Sequence, residues 1–322
     1  LVLVHRTELL RQWQERLQAF LGVGNGVVGT LGGGKAKLTG IIDIAVMQSL
    51  SRKGEISDQV KNYGQIIVDE CHHLSAVSFE ALLRSATARY VLGLTATPVR
   101  RDGQQPIIFM QCGPIRHSAA RPASAPHDLS VVPRLLPKPI VVPDGFGIQD
   151  VFRRLADDSE RTAKIVSEIE LAYNEGRKIL VLTERTEHVD ALELELKQRV
   201  HNLFTLHGRV PKKQRISRMH ELESLPPDAP RVLLATGKLV GEGFDHPPLD
   251  TLVLAMPISW KGILQQYAGR LHRSHADKAD VRVIDFVDEG NVALLRMWDK
   301  RQAGYKAMGY RMADSMATMD LL

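Results

Sequence analysis

The stretch Ile66-Ile67-Val68-Asp69-Glu70-Cys71-His72-His73 joins a short apolar run to two adjacent acids. Such a run predicts a buried strand of a parallel sheet. Open parallel sheets bind ligands at the edge where their strands end, and Asp69 and Glu70 fall at that edge. One acid there can hold Mg²⁺ while its neighbour positions or deprotonates an attacking water. A solvated loop is the alternative, and the two acids alone favour it. A zinc site at Cys71-His72-His73 is disfavoured, because adjacent residues rarely converge on one tetrahedral ion.

A second predicted strand supports the catalytic interpretation of these acids. It ends in Leu94-Thr95-Ala96-Thr97-Pro98, some 25 residues after the acids. Two hydroxyl groups beside a proline turn can hydrogen-bond the acidic loop or a phosphate. Alone, this segment would be an ordinary exit from a strand, so its value lies in its combination with the acids.

Apolar runs that alternate with amphipathic helical patterns predict a parallel α/β architecture. In the first half, the predicted strands are Leu1–Val4, Ile41–Val46, Ile66–Val68 and Val91–Leu94. The second half has a predicted helix around Thr162–Tyr173 and predicted strands at Ile179–Leu182, Leu203–Leu206, Val232–Ala235, Leu252–Ala255 and Val281–Val287. The 322 residues therefore suggest two α/β domains in tandem.

Residues 113–150 interrupt this alternation. Seven of the sixteen prolines fall there. Proline fixes φ and removes a hydrogen-bond donor, so we expect neither a long helix nor a central strand in this segment. The predicted organisation is a first domain at 1–112, a proline-rich linker at 113–150 with at most an edge strand or two, a second domain at 151–290 and a C-terminal helical tail at 291–322.

The second domain carries two further patterns. Gln266, Arg270 and Arg273 recur at i, i+4 and i+7 on a predicted helix, so all three side chains should project from one face. Two arginines there suit the charge that spreads over a γ-phosphoryl group in its transition state, although a solvated basic face is commoner. The predicted loop 236–245 holds glycines at 237, 241 and 243, which allow close approach to a ligand.

In their order along the chain, these segments resemble the core of the superfamily 2 helicases. Motif Ia resembles LVLVHRTELLRQW, motif Ic resembles IAVMQSL, motif II is DECHH and motif III is LTATP. Motif V resembles ATGKLVGEGFD, and motif VI is QYAGRLHR. DECHH together with GLTATPVRRDG is similar to the branch that holds the repair translocase XPB and the helicase subunits of restriction enzymes. The resemblance implies two RecA-like parallel-sheet domains, the first incomplete at its N-terminus, and an ATP-driven motor directed to DNA more than to RNA.

The resemblance also implies roles for single residues. Asp69 would coordinate Mg²⁺ and Glu70 would activate the attacking water, with ATP between the two domains. The implied arginine fingers are Arg270 and Arg273, and the implied ATP contacts are Gly243, Asp245 and Gln266. Coupling of hydrolysis to the strand-binding face is implied for His73, Thr95 and Thr97. Contacts with the nucleic-acid backbone are implied for His5, Arg6, Gln48, His207 and Thr236.

Two local patterns imitate other sites. Gly29–Ala36 nearly matches the Walker A pattern GxxxxGK[ST], but Ala36 replaces the hydroxyl residue and a predicted strand follows where a P-loop needs a helix. A glycine turn between two strands is predicted instead. Glu195-Leu196-Lys197 faintly resembles a nuclease pattern, but apolar residues at helical spacing assign it to the exposed side of an amphipathic helix.

No Walker A loop precedes Leu1 in this sequence, so the β- and γ-phosphates would lack their main cradle. We therefore expect this chain alone to be inactive, with the activity belonging to a longer parent protein. The alternative is a non-catalytic, degenerate helicase-like module that binds nucleic acid or serves as a scaffold. The retained residues that argue against decay are Asp69, Glu70, Arg270 and Arg273.

The composition is that of a globular protein, with 44% hydrophobic and 25% charged residues. A net charge of +5 suits a polyanionic partner without requiring one. Aromatic residues are only 5%, which argues against extensive base stacking. Two cysteines and no apolar run of about 20 residues lead us to expect a cytoplasmic protein with no membrane partner. The tail WDKRQAGYKAMGY resembles helicases fused to upstream modules in defence systems, which implies an associated nuclease or primase module.

Overall fold

The computed structural model describes residues 1–52, 55–72, 77–96, 105–119, 126, 128–140, 147–237, 246–258, 261–273, 275 and 278–313. The chain divides into a first unit, Leu1–Ala120, and a second unit, Arg121–Leu322. Each unit is built on one mainly parallel sheet with helices in its connections, which confirms the predicted α/β class. Within the described residues, no helix is both long enough and apolar enough to cross a membrane.

The first unit contains a six-stranded sheet. Its strands and those of a small ribbon are β1 (Val2–Val4), β2 (Val28–Gly32), β3 (Lys35–Lys37), β4 (Ile42–Val46), β5 (Ser51–Arg52), β6 (Glu55–Ile56), β7 (Gln65–Asp69) and β8 (Tyr90–Leu94). The helices are α1 (Thr7–Leu21), α2 (Val77–Ser85) and α3 (Gln105–Cys112), with 3₁₀ turns at Met47–Ser49 and Asp58–Asn62. The sheet order is β3-β2-β4-β1-β7-β8, and β5 pairs with β6 separately. All pairings in the large sheet are parallel except that of β2 with β3.

The central strands of this sheet are apolar because both of their faces are covered. On one face, Leu3, Ile66 and Val68 pack in a cluster with residues of α2 and α3. On the other face, Val4 and Ile44 pack in a second cluster with residues of α1. Because β4, β1, β7 and β8 are neighbours and run in parallel, their carboxyl ends meet at one edge of the sheet.

The sequence that imitates a Walker A loop is a hairpin. Strands β2 and β3 pair in antiparallel fashion around Gly33 and Gly34, whose φ angles are 60° and 84°. Two consecutive positive φ values are typical of the tight turns that favour glycine in hairpins. The predicted glycine turn between two strands is therefore confirmed, and β4 follows it as expected.

The second unit contains a seven-stranded sheet. Its strands are β9 (Asp128–Pro139), β10 (Lys178–Thr183), β11 (Leu203–Leu206), β12 (Arg231–Thr236), β13 (Thr251–Leu254), β14 (Asp280–Gly290) and β15 (Arg311–Met312). Its described helices are α4 (Ile148–Asp157), α5 (Ser159–Asn174), α6 (Thr186–Leu196), α7 (Lys212–Ser224), α8 (Lys261–Leu271) and α9 (Val292–Ala307). The sheet order is β11-β12-β10-β13-β14-β9-β15, with every pairing parallel.

The proline-rich segment is not only a linker. The prediction was wrong for Asp128–Pro139, because this segment forms β9 between β14 and β15 and buries Leu129 and Val131. Strand β14 pairs with β9 along its length, whereas β15 pairs only with Ser130 and Val131. Among the described residues, the prolines of β9 therefore have a strand partner on one side only. A missing N–H is tolerated where it does not face a partner strand.

Two further elements complete the second unit. Asn291 caps α9 by accepting hydrogen bonds from the backbone N–H groups of Ala293 and Leu294, and β15 returns the chain to the sheet. The segment predicted as a tail is thus packed within this unit. In α6, Val189, Leu192 and Leu196 are fully buried while Glu195 stays exposed, which confirms that the nuclease-like pattern is the outer side of an amphipathic helix.

Candidate active site

The two acids lie at the carboxyl edge of the first sheet, as predicted. Asp69 is the last residue of β7, and Glu70 follows with φ of 51°. This left-handed conformation is uncommon for a residue with a side chain and costs energy, so the surrounding contacts must hold it. The Glu70 backbone N–H donates to Asp69 Oδ1 at 3.0 Å, which ties the two acids together.

Asp69 is held by a tryptophan from α1. Trp13 Nε1 donates to Asp69 Oδ2 at 2.8 Å, although the two residues are 56 positions apart. Burial raises the pKa of the Asp69 carboxyl group, and the nearby charge of Glu70 raises it further, while the Trp13 hydrogen bond lowers it. The site therefore concentrates negative charge in a partly desolvated position, which a cation would neutralise.

A histidine connects the acids to the end of the neighbouring strand. His72 Nδ1 lies 3.2 Å from Glu70 Oε2 and 3.0 Å from Thr95 Oγ1, just beyond the end of β8. The sequence analysis assigned coupling to His73, Thr95 and Thr97 and did not single out His72, which contacts both Glu70 and Thr95 in the structure. His73 and Thr97 lie outside the described residues. The signal in the sequence that could have identified His72 is its place two residues after Glu70, at the end of a strand next to the strand that ends before Thr95.

Three residues predicted to contact nucleic acid flank the acids at the same edge. His5 and Arg6 follow β1, and Gln48 follows β4 on an exposed 3₁₀ turn. Burial lowers the pKa of His5, and the Arg6 charge lowers it further, while Glu70 and Asp69 raise it. His5 therefore lies within electrostatic reach of both acids. The structure places these residues in the strand order β4-β1-β7-β8 along one edge.

In the second unit, the predicted arginines lie at the end of α8. Gln266 and Arg270 are on this helix, but α8 ends at Leu271, so Arg273 lies beyond it. The prediction that all three project from one helical face was wrong for Arg273. After Arg270 the chain forms a tighter turn of the 3₁₀ type. The His272 N–H donates to the carbonyl of Gly269, three residues earlier, at 3.3 Å, whereas an α-helix would use the carbonyl of the residue before Gly269.

A buried tyrosine from α8 meets the ends of two strands. The Tyr267 hydroxyl donates a hydrogen bond to the Glu184 carboxylate, which follows β10. Burial raises the pKa of the Glu184 carboxyl group, whereas this hydrogen bond lowers it. A Cβ at Gly237, after β12, would overlap the Tyr267 hydroxyl. Sequence reasoning missed this junction, although Gly237 had been singled out for close approach; the group approaching it is Tyr267.

Two of the remaining predicted residues of the second unit lie at the carboxyl edge of its sheet, and the other two lie outside the described residues. Thr236 ends β12 and His207 follows β11, so both lie at the carboxyl edge of this sheet. His207 Nε2 is 3.8 Å from Asp190 Oδ1 of α6, and Asp190 also accepts from Arg209 at 2.6 Å. Gly243 and Asp245 lie outside the described residues.

Comparisons with known proteins match both units. Residues 1–100 match the family model described as the res subunit of type III restriction enzymes, and residues 161–275 match the helicase conserved C-terminal domain. The protein described as probable helicase D10 of Escherichia phage T5 is 27% identical over 317 residues, covering 97% of this chain and 67% of that protein. The DNA 3'-5' helicase XPB of Kineococcus radiotolerans is 30% identical over 209 residues, covering 61% of this chain and 37% of that protein.

The fold is also found among solved structures. Saccharomyces cerevisiae Dbp5 bound to RNA and ADP BeF3 superposes with a TM-score of 0.60 at 14% identity, covering 98% of this chain and 77% of that chain. An identity this low shows the fold alone. The match confirms the predicted pair of RecA-like parallel-sheet domains.

Proposed function

We propose that this chain, which belongs to the superfamily 2 helicases of the XPB-like and restriction-subunit-like branch, drives a motor that hydrolyses ATP to move along DNA. The observation that carries the proposal is the acidic pair at the end of β7, fixed by Trp13 on one side and by His72 and Thr95 on the other. A degenerate scaffold would have no need of such an arrangement.

The acidic pair suits magnesium and water chemistry. Carboxylate oxygens are the ligands that Mg²⁺ prefers, and Asp69 is partly buried with a raised pKa, so a bound cation would offset its desolvation. When bound with ATP, Mg²⁺ would neutralise charge on the phosphates. In our proposal Asp69 holds this ion, and Glu70 orients and deprotonates the attacking water. His72 relays the position of Glu70 to Thr95, and through it to the strand-binding residues, with His73 and Thr97 assigned to the same task.

The second unit would supply positive charge to the same reaction. We assign Arg270 and Arg273 to the charge that develops on the γ-phosphoryl group, because guanidinium groups bind phosphate oxygens in a fixed fork geometry. The further ATP contacts that we assign are Gln266, Gly243 and Asp245. Tyr267, through Glu184, would hold α8 against the ends of β10 and β12.

Nucleic acid would be held through its backbone. We assign this contact to His5, Arg6 and Gln48 in the first unit and to His207 and Thr236 in the second, all at carboxyl edges of the two sheets. The net charge of +5 favours a polyanionic partner. The relative from Kineococcus is named as a DNA helicase, which supports DNA over RNA. Backbone contacts carry little sequence information, so specificity would come from an associated module such as a nuclease or primase.

The test is ATP hydrolysis by the protein expressed from its complete reading frame. We expect hydrolysis that requires Mg²⁺ and is stimulated by DNA. Glu70→Gln should abolish turnover while nucleotide binding persists, because the amide cannot accept the proton of the attacking water.

Glu195→Gln is the matched control, since it makes the same change on the exposed side of α6. Its turnover should equal that of the wild type. A protein that binds DNA but hydrolyses no ATP with any nucleic acid would establish the scaffold instead. Full turnover in Glu70→Gln would remove Glu70 from the proposed reaction.

A further inference from the structure

A buried lysine, Lys278, forms hydrogen bonds with backbone carbonyl groups at the end of α8. Lys278 Nζ donates to the carbonyl oxygens of Leu271 at 3.0 Å and Arg273 at 2.9 Å, and only 8% of Lys278 is exposed. The last carbonyl groups of a helix have no partner within the helix, and a cation there is favourable. Lys278 therefore fixes the backbone on both sides of His272, in the segment Arg270–Arg273, which we call the arginine segment.

A tyrosine from beyond α9 holds the same segment through a side chain. His272 Nε2 and the Tyr310 hydroxyl share a hydrogen bond of 2.9 Å, and their ring centroids are 5.5 Å apart. Tyr310 is buried and packs on Tyr305, whose ring centroid is 5.8 Å away. His272 lies between Arg270 and Arg273 in the chain. The position of its ring therefore restricts the backbone path of the arginine segment beyond the end of α8.

The contacts continue from Tyr310 into the sheet. Tyr305 is fully buried and its hydroxyl donates to Asp285 Oδ2 at 2.8 Å. Asp285 belongs to β14 and is paired with Arg301 through Nε at 2.7 Å and Nη2 at 3.0 Å. A chain of polar and aromatic contacts thus connects β14, through α9, to the arginine segment.

Local backbone geometry places Tyr310 in this position. The Tyr310 N–H donates to the Tyr305 carbonyl at 3.0 Å, and the Gly309 N–H donates to the Lys306 carbonyl at 3.1 Å. Gly309 has φ of 84°. These three features define the Schellman motif at the end of a helix, in which the residue after the left-handed glycine packs back on the last turn. Pairing of β15 with β9 then secures the chain beyond Tyr310.

We infer that Tyr310 and Lys278 are positioning residues for the arginine segment. In this inference α9 and β15, which hold Tyr310 in place, support ATP hydrolysis in addition to completing the fold of the second unit. Both residues lie outside the matched helicase C-terminal model, which ends at residue 275. The inference rests on the proposed function insofar as the arginines act in hydrolysis. The contacts that set their position belong to the second unit alone.

The test compares Tyr310→Phe with Tyr173→Phe in the protein from the complete reading frame. Tyr310→Phe removes the hydroxyl that meets His272 and keeps the ring. Tyr173→Phe makes the same change in the same unit, where the hydroxyl accepts from the Asn202 N–H at 3.3 Å in a separate core cluster. We expect Tyr310→Phe to lower kcat for ATP about fivefold, the rate equivalent of one ordinary hydrogen bond, with little change in KM. Tyr173→Phe should leave kcat unchanged.

Amide hydrogen exchange gives a readout that does not depend on turnover. In Tyr310→Phe, the backbone amides of residues 269–275 should exchange faster than in the wild type, while those of Tyr173→Phe should not. Equal exchange in both variants would overturn the inference whatever the kinetics show. Faster exchange in a protein that hydrolyses no ATP would refute the proposed function and leave the positioning role standing. An unchanged kcat with faster exchange would overturn the claim that this positioning serves hydrolysis.

Discussion

Asp69, the proposed magnesium ligand, is oriented by Trp13, a residue far from it in the sequence. The sequence placed Asp69 at the end of a strand, and the structure confirms this; Trp13 lies on α1 and packs against the apolar cluster that contains Leu9 and Leu10. The hydrogen bond between Asp69 and Trp13 could not be predicted, because helical periodicity shows which face is buried but not which polar atom the indole N–H reaches. The contact between His72 and Thr95 could not be predicted for the same reason. It depends on the packing of β8 beside β7, which brings Thr95 Oγ1 to 3.0 Å from His72 Nδ1.

Loss of the Trp13 hydrogen bond should weaken the proposed binding of Mg²⁺ by Asp69 without unfolding the first unit. Trp13→Phe removes the N–H that orients Asp69 and keeps most of the apolar packing of α1. We expect kcat for ATP to fall about fivefold and the Mg²⁺ concentration for half-maximal rate to rise, since a freely rotating carboxylate binds a cation less well. Steady-state hydrolysis measured against Mg²⁺ concentration tests this.

Gln14→Met is the matched control for Trp13→Phe. It removes a donor from the same helix, where Gln14 Nε2 meets the Val28 carbonyl at 3.4 Å and touches neither acid. Its Mg²⁺ dependence should match that of the wild type. If the two variants behave alike, Trp13 serves packing only.

Burial of His188 should make the free energy of unfolding of the second unit fall at acidic pH. Burial lowers the pKa of His188 to about 3, and the Arg161 charge lowers it further, whereas an unfolded histidine titrates near 6.5. Between these values the unfolded state binds more protons, so the free energy of unfolding rises with pH and falls as pH drops below about 6.5. At pH 5 the loss from His188 should be about 2 kcal/mol. Urea unfolding at pH 7 and pH 5 should show a smaller difference for His188→Asn than for the wild type; equal differences would contradict the assignment.

At the scale of elements, sequence patterns located strands well where burial alone decides them. The predicted runs Ile179–Leu182 and Val232–Ala235 lie in β10 and β12, two inner strands of the second sheet, because apolar residues on both faces fit a covered central strand. Strand β9 was missed because its prolines count against an inner strand. Its single long pairing with β14 makes those prolines acceptable, and that pairing joins residues far apart in the chain.

The end of α8 shows why helix boundaries resist prediction. Gln266, Arg270 and Arg273 fit one helical face by spacing, and nothing local stops the helix before Arg273. The carbonyl groups of Leu271 and Arg273 are instead taken by Lys278, which comes from the segment leading into β14. These contacts join residues seven and five positions apart, and they hold the chain in a non-helical path that helix propensity alone would not predict. By contrast, the end of α9 is encoded locally, since Gly309 supplies the left-handed residue that a helix stop requires.

At the scale of the whole molecule, β9 decides where the second unit begins. The sequence placed the domain boundary at residue 151, whereas contacts divide the chain at residue 121. A fragment 151–322 would lack β9 and lose Leu129, Val131 and Leu136 from the buried clusters. Burial of each such side chain is worth about 2 kcal/mol, so the three together approach the stability of about 5–15 kcal/mol that a whole domain has.

The two fragments therefore give opposite expectations. We expect fragment 121–322 to unfold cooperatively in urea, with one transition by circular dichroism and by tryptophan fluorescence. Fragment 151–322 should show no cooperative transition, because the side of β14 that pairs with β9 would be exposed as an unpaired strand edge. Fragment 121–322 with Leu129→Asp and Val131→Asp is the matched control, since it keeps the length and places charge in the core. It should behave like the shorter fragment. Cooperative unfolding of fragment 151–322 would show that β9 is dispensable and would restore the boundary at 151.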